Sequence, residues 1–357
     1  MVADMQKKIR TKRVLAGFDG FVDTIVHAVD VRDGKTYKRV ETISDFGKKI
    51  TAAAGKSLNI ELIPLRRLIG GNGPLLSDTL CNFGANVRYI GAVGDCENNI
   101  FGDFAKKIPT ISVGEYGETR ALEFADGKIL FGEMLPLCTV SVDSILKKIS
   151  ANNLAKITEE CDVVAFCNWT MMPHMTGIAR FFSEDILPEC ASTRKFFFFD
   201  LADPAKRKLE DLAEFLRLIQ SFEKFGKSIL GLNIREAEQV LSAIGKNFEI
   251  SESAESMKGA VELLRRSLGI GVVFIHGIRI SAAATAETTC ATSGESFIEN
   301  PKISTGAGDR YNAGFLASYL CDGDIFSAVN FAAATSAFYV RTTRTPGLEE
   351  IELRGIR

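Results

Sequence analysis

The chain has 357 residues, of which 46% are hydrophobic and 25% charged, with a formal net charge of −2. This length allows one large domain or two, and the near-neutral balance argues against a basic surface for nucleic acid or an anionic membrane. Three scattered histidines and eight cysteines without a Cys-x-x-Cys pair argue against a zinc site.

Met1–Arg13 is polar and basic and lacks the apolar stretch of a secretory signal. No run of about 18 apolar residues offers a membrane span. A cytoplasmic protein with reduced cysteines is expected. In chain order, Val14–Phe18 reads as a strand, and Pro74–Phe83 as a helix with Pro74 at its first position and Gly84 as its stop. Val87–Ala92, Asp162–Cys167, Lys195–Asp200, Ile229–Leu232 and Gly271–Ile275 read as further buried strands. Helical patterns occupy Met175–Phe182, Lys208–Phe225, Arg235–Ile244 and Ala254–Leu268. Strands alternating with helices imply βαβ units, hence a mostly parallel sheet in a three-layer α/β/α sandwich. Two stretches break the rhythm. Val29–Ile63 is mixed and charged around a helix near Ser44–Ala53. Val113–Glu133 reads as antiparallel strands around Asp126-Gly127. They are expected as insertions, at about residues 29–66 and 111–137 of one domain spanning 1–357, forming a small β-containing lid. Plain surface insertions are the alternative.

The strongest chemical signal is Ser304-Thr305-Gly306-Ala307-Gly308-Asp309, ahead of a helix running through Leu320. Small residues at a helix start leave backbone N–H groups free to gather around one anion, aided by the helix dipole. Asp309 beside them can take the proton of an attacking hydroxyl. The same residues also suit a plain helix cap. Asn233 follows the strand Ile229–Leu232 at the carboxyl edge of the sheet, where open α/β folds bind ligands, and Glu236 lies one helical turn later. That pair suits an ion held through water, or a capping box. Asn168 and Trp169 stand at the same edge, with Trp169 able to face a sugar ring or pack in the core. Arg120 and Phe131 could close from the lid, and no histidine is given a catalytic role.

Ile303–Phe315 resembles the C-terminal signature of the PfkB (ribokinase-like) carbohydrate kinases. Gly70-Gly71-Asn72-Gly73-Pro74 with Leu80–Asp95 is similar to the family's second block, and Asn233-Ile234-Arg235-Glu236 to its Asn-x-x-Glu. The resemblance implies phosphoryl transfer from ATP to a hydroxyl of a sugar-like molecule. Asp309 would be the base, with Gly306, Ala307 and Gly308 as the anion hole. It places Gly70 and Gly71 at the sugar, with Asn72 a candidate to replace the family's usual asparagine contact, and has Asn233, Glu236 and Gly277 serve the nucleotide; Asn168, at the sheet edge, is a further sugar candidate. Glu236 would reach Mg²⁺ through water, and a monovalent cation is a further candidate. Family members bind sugar hydroxyls through an aspartate after the first strand; Asp23 matches best and Asp19 second. A homodimer is compatible with the family. Departures are Ile303 where an aspartate is usual, Leu75 where an asparagine is usual, and Ile275–Ile280, which keeps Gly277 but loses a threonine and a glycine. Alternatives are a nucleoside kinase of the same fold and a non-catalytic sugar- or nucleotide-binding regulator.

Overall fold

The computed structural model describes residues 2–191, 195–292 and 296–351. Lys195–Asp200 shows why the main sheet forms. Its four consecutive phenylalanines leave no polar face, and Phe197, Phe198 and Phe199 are fully buried. A strand apolar on both faces needs cover on both sides, as parallel α/β sheets provide. Phe199 stacks on Phe166 on one side, and Phe198 stacks on Phe274 on the other.

Among the described residues this sheet has nine strands. Their order is Thr289–Ala291, Ser281–Ala284, Val272–His276, Gly226–Asn233, Lys195–Asp200, Val163–Phe166, Arg13–Phe18, Asn86–Ala92 and Thr110–Gly114. All pairings from Val272–His276 to Thr110–Gly114 are parallel; the two beyond it are antiparallel. Separate apolar clusters fill the two faces. The parallel strands therefore deliver Phe18, Phe166, Asp200, Asn233 and His276 to one edge.

The helix Ala307–Asp322 starts after Gly306 at φ 79° and ends at Gly323 at φ 69°, both left-handed positions that suit glycine. It is buried almost all round, because it lies between the sheet and the helices Asn72–Asn82 and Ile325–Thr342. Asn72–Asn82 begins two residues earlier than its sequence pattern indicates. Pro74 therefore sits at the third helical position, where an N–H would also lack an intrahelical partner.

A second, smaller sheet covers the carboxyl edge. Phe21–Asp33 pairs antiparallel with Leu62–Gly70 and Thr36–Arg39, and parallel with Gly117–Phe124, which pairs antiparallel with Gly127–Glu133. Val26, Phe46, Leu122 and Phe124 form its own core. This sheet starts at Phe21 and reaches Gly70, so it extends outside 29–66. Phe21–Asp33 lacks strict alternation of apolar and polar residues, which hid the strand, and Asp23 belongs to it rather than to the end of Arg13–Phe18.

Candidate active site

Two clefts meet at the start of the helix Ala307–Asp322. The smaller, about 200 Å³, is lined by Asp23, Asn72, Thr119, Asn168, Gly306 and Asp309, among others. The larger, about 550 Å³, is lined by Asn233, His276, Gly277, Ala307, Gly308 and several apolar side chains. Asp309 is partly exposed on the wall of the smaller cleft. Desolvation by the surrounding protein pushes its pKa up to about 7, with Arg310 pulling it down and the charges of Asp19 and Asp23 pushing further up. A carboxylate in that range is suited to accept a proton near neutral pH.

The loop ahead of Asp309 differs from expectation in one atom. The Ala307 N–H donates to the Ser304 carbonyl at 3.2 Å, closing a turn. The amides left without a described backbone acceptor are those of Gly306, Gly308 and Asp309. Ala307 is thus corrected from an anion-hole donor to a small wall residue, because the turn that starts the helix uses its hydrogen.

Asp19 is also corrected. It is fully buried and does not line the cleft. Its carboxylate accepts from the backbone N–H of Asn72 at 2.8 Å and of Gly73 at 2.9 Å, and from Asn168 Nδ2 at 2.8 Å. Burial raises its pKa to about 6 against those bonds. It pins the double-glycine turn to the sheet edge and leaves the cleft wall to Asp23. Gly71 has φ 93° and lines the cleft. Gly70 does not line it; a side chain there would overlap the Asp23 carboxylate, so this glycine makes room for Asp23. Asn168 lines the cleft at φ 62°, with Nδ2 given to Asp19 and Oδ1 accepting from Met171 N. Trp169 is fully buried, stacked on Phe215 beneath the Arg207 guanidinium, so it is core rather than a sugar platform.

Asn233 and Glu236 form a capping box. Asn233 Oδ1 accepts from Glu236 N, and Glu236 Oε2 from Asn233 N, each at 2.9 Å. Glu236 Oε1 accepts from Asp203 N at 2.9 Å. Asn233 lines the larger cleft; Glu236 is buried behind it, and burial raises its pKa. No cluster of three metal-type ligands occurs among the described residues. An ion there would meet Glu236 through water, on lone pairs the two amides leave free.

The pattern of the prokaryotic ketohexokinase family matches residues 1–354. The chain belongs to that family. It is a carbohydrate kinase of the PfkB type, acting on a sugar hydroxyl. A ketohexokinase of Haloferax volcanii is 25% identical over 350 residues, covering 97% of this chain and 92% of the relative. The adenosine kinase of Sinorhizobium meliloti has a TM-score of 0.63 at 16% identity, covering 94% of this chain and 97% of that one. Arabidopsis thaliana ribokinase, solved with ribose and ATP, has a TM-score of 0.62 at 14% identity, covering 95% and 97%. At such identities the two structures show the fold.

Within this ketohexokinase-family chain, sequence reasoning missed Lys128. It rises from the hairpin turn Phe124–Gly127 of the lid, and its Nζ donates to Ser304 Oγ at 3.1 Å and to Thr305 Oγ1. Burial lowers its pKa, while Glu123 and Asp23 pull it back up. A lone lysine in a charged stretch carries no signal in sequence; only the packing of the smaller sheet over the carboxyl edge brings it to the signature loop. Strand alternation also exchanges the expected lid residues. Arg120 and Phe131 pair across the hairpin and neither lines the cleft, whereas Thr119, Leu130 and Gly132 do. On the other side, Glu252 accepts from the amides of Arg279 and of Ile280, the latter at 3.2 Å, and Gly277 N donates to Ile280 O at 2.9 Å. Gly277 is needed because a Cβ would run into Glu252. The turn that replaces the usual threonine-glycine element is thus satisfied internally.

Proposed function

We propose that this chain transfers the γ-phosphoryl group of ATP to a hydroxyl of a ketohexose such as fructose, with Asp309 as the base. The observation that carries the reading is the shared helix start. Asp309 and Gly306 face the smaller cleft while Gly308 and Ala307 face the larger one, so acceptor and donor meet across the free amides. The ketohexose follows from the family and the Haloferax volcanii relative.

The sugar would occupy the cleft of about 200 Å³, with Asp23, Asn72 and Thr119 contacting hydroxyls. Asp23, whose pKa burial raises, suits a diol because a carboxylate accepts two O–H bonds at once. The apolar walls Ile278, Phe297, Ala337 and Val340 of the larger cleft suit an adenine, with the phosphates directed at the helix start. Gly277 shapes that cleft, and Asn233 borders it. The acidic edge of Asp203 and Glu236 fits Mg²⁺ held through its waters; the ion would neutralise charge on the transferring group. Asp309 orients the hydroxyl and takes its proton, and Lys128 adds positive charge from the lid once the cleft closes. Binding of a monovalent cation, a homodimer and the single-domain boundaries with lid insertions are expectations of the same reading.

The nucleoside-kinase alternative is favoured by one feature. A third cavity, about 370 Å³, shares Asp23, Leu75 and Thr305 with the sugar cleft and could house a larger acceptor. A panel of ketohexoses, aldohexoses, pentoses and adenosine, each with MgATP and with MgADP, decides between them. Phosphorylation of fructose ahead of adenosine with MgATP is expected. Preference for adenosine, or for MgADP, contradicts the reading.

A further inference from the structure

We infer that Asp200, outside any assigned role, is a specificity-positioning residue that fixes which end of the Asn72 amide faces the sugar. The inference rests on the reading of Asn72 as a sugar contact. Asp200 ends the strand Lys195–Asp200 and is buried. Its Oδ2 accepts from Asn72 Nδ2 at 2.8 Å, and its Oδ1 from Ala202 N at 3.2 Å. The Ala202 N–H holds Asp200 Oδ1, so Oδ2 is left for Asn72 and draws its NH₂ inward. Asn72 Oδ1 then accepts from no described residue, and Asn72 lines the cleft. The cleft is thus offered a bare acceptor, which selects a sugar hydroxyl that donates.

The carboxylate that orients this amide is expensive to keep. Glu236, Asp309 and Asp19 all raise its proton affinity beyond what burial does. An amide of the same shape would relieve that repulsion, but it would reverse the polarity offered to the sugar. In Asp200→Asn the Ala202 N–H still requires an oxygen, so the new NH₂ faces Asn72. Asn72 must answer with its own oxygen and turn its NH₂ into the cleft. A hydroxyl would then be accepted only as an acceptor, a role fluorine can partly fill.

The test is kinetics of fructose and its monofluorinated analogues, in which fluorine replaces one non-reacting hydroxyl at a time. Wild type, Asp200→Asn and Asn72→Ala are compared. In wild type, fluorine at one position should lower kcat/KM on the order of tenfold, the worth of a lost donor against a buried acceptor. Asp200→Asn should raise the KM for fructose about tenfold with a smaller change in kcat, and shrink the fluorine penalty at that same position. Asn72→Ala should erase the penalty there. An unchanged fluorine profile in Asp200→Asn overturns the inference while the sugar site stands, provided Asn72→Ala still raises KM. Wild-type KM and profile in Asn72→Ala overturn the underlying reading as well. Should Asp200→Asn not fold, wild type and Asn72→Ala decide: a fluorine penalty that survives in Asn72→Ala overturns the inference, and one that vanishes supports it.

Discussion

At Asp309, two demands compete. A base near a helix start would ordinarily be strongly acidic, yet burial and neighbouring carboxylates move this one up to about 7. The base must be ionised to accept a proton. kcat/KM should therefore fall as pH drops below about 7 and level off above it; a profile flat from pH 5 to 8 contradicts the role. Lys128 makes a separate prediction. Its ammonium reaches Ser304 and Thr305 from the lid. Lys128→Met should lower kcat by about 10²-fold, the worth of one preorganised donor at developing charge, with a smaller change in ATP affinity by titration. The place of Asp309 at the cleft was legible because its glycine-rich surroundings mark a helix start at the sheet edge. Lys128 was not, because its partners are about 176 residues away in sequence and joined only by the lid.

Among the elements, the double-glycine turn shows how one local conformation serves several groups. Asp19 grips the amides of Asn72 and Gly73, and Gly70 leaves space for Asp23. Gly70→Ala should displace the Asp23 carboxylate and raise the sugar KM on the order of tenfold, with ATP KM nearly unchanged. Equal loss for both substrates would point to a global disturbance instead. The parallel strands and most helices could be read from sequence because buried strands such as Lys195–Asp200 are apolar on both faces. The strands Phe21–Asp33 and Leu62–Gly70 could not, since neither alternates strictly between apolar and polar residues and their pairing is broken by a register shift between Ile25 and Val26. The roles of Asp19 and Asp23 were consequently hard to separate: four residues apart in sequence, Asp19 lies in the link that follows the main-sheet strand Arg13–Phe18 and Asp23 on the smaller sheet.

For the molecule as a whole, the site is a source of instability. Asp309 has a folded pKa of about 7 against an ordinary 3.8, and burial raises Asp19 and Asp200 in the same direction. The folded state thus holds these protons more tightly than the unfolded chain. For Asp19 and Asp309 this contribution to stability is full below about pH 4 and is lost as pH rises through about 6 and about 7 respectively. Asp309→Asn should therefore raise the thermal midpoint at pH 8, by about 2–4 °C for each kcal/mol relieved, and change it little at pH 5; calorimetry at the two pH values checks this. Such a gain belongs with the trade between stability and activity common at strained sites. No helix among the described residues is long and apolar enough to cross a membrane. The most direct measurement is single-turnover phosphorylation of fructose by Asp309→Asn, with ATP binding titrated in the same preparation. A loss of about 10²–10⁴-fold in turnover, the worth of a general base, with ATP affinity retained, is the predicted result; turnover at the wild-type rate would contradict it.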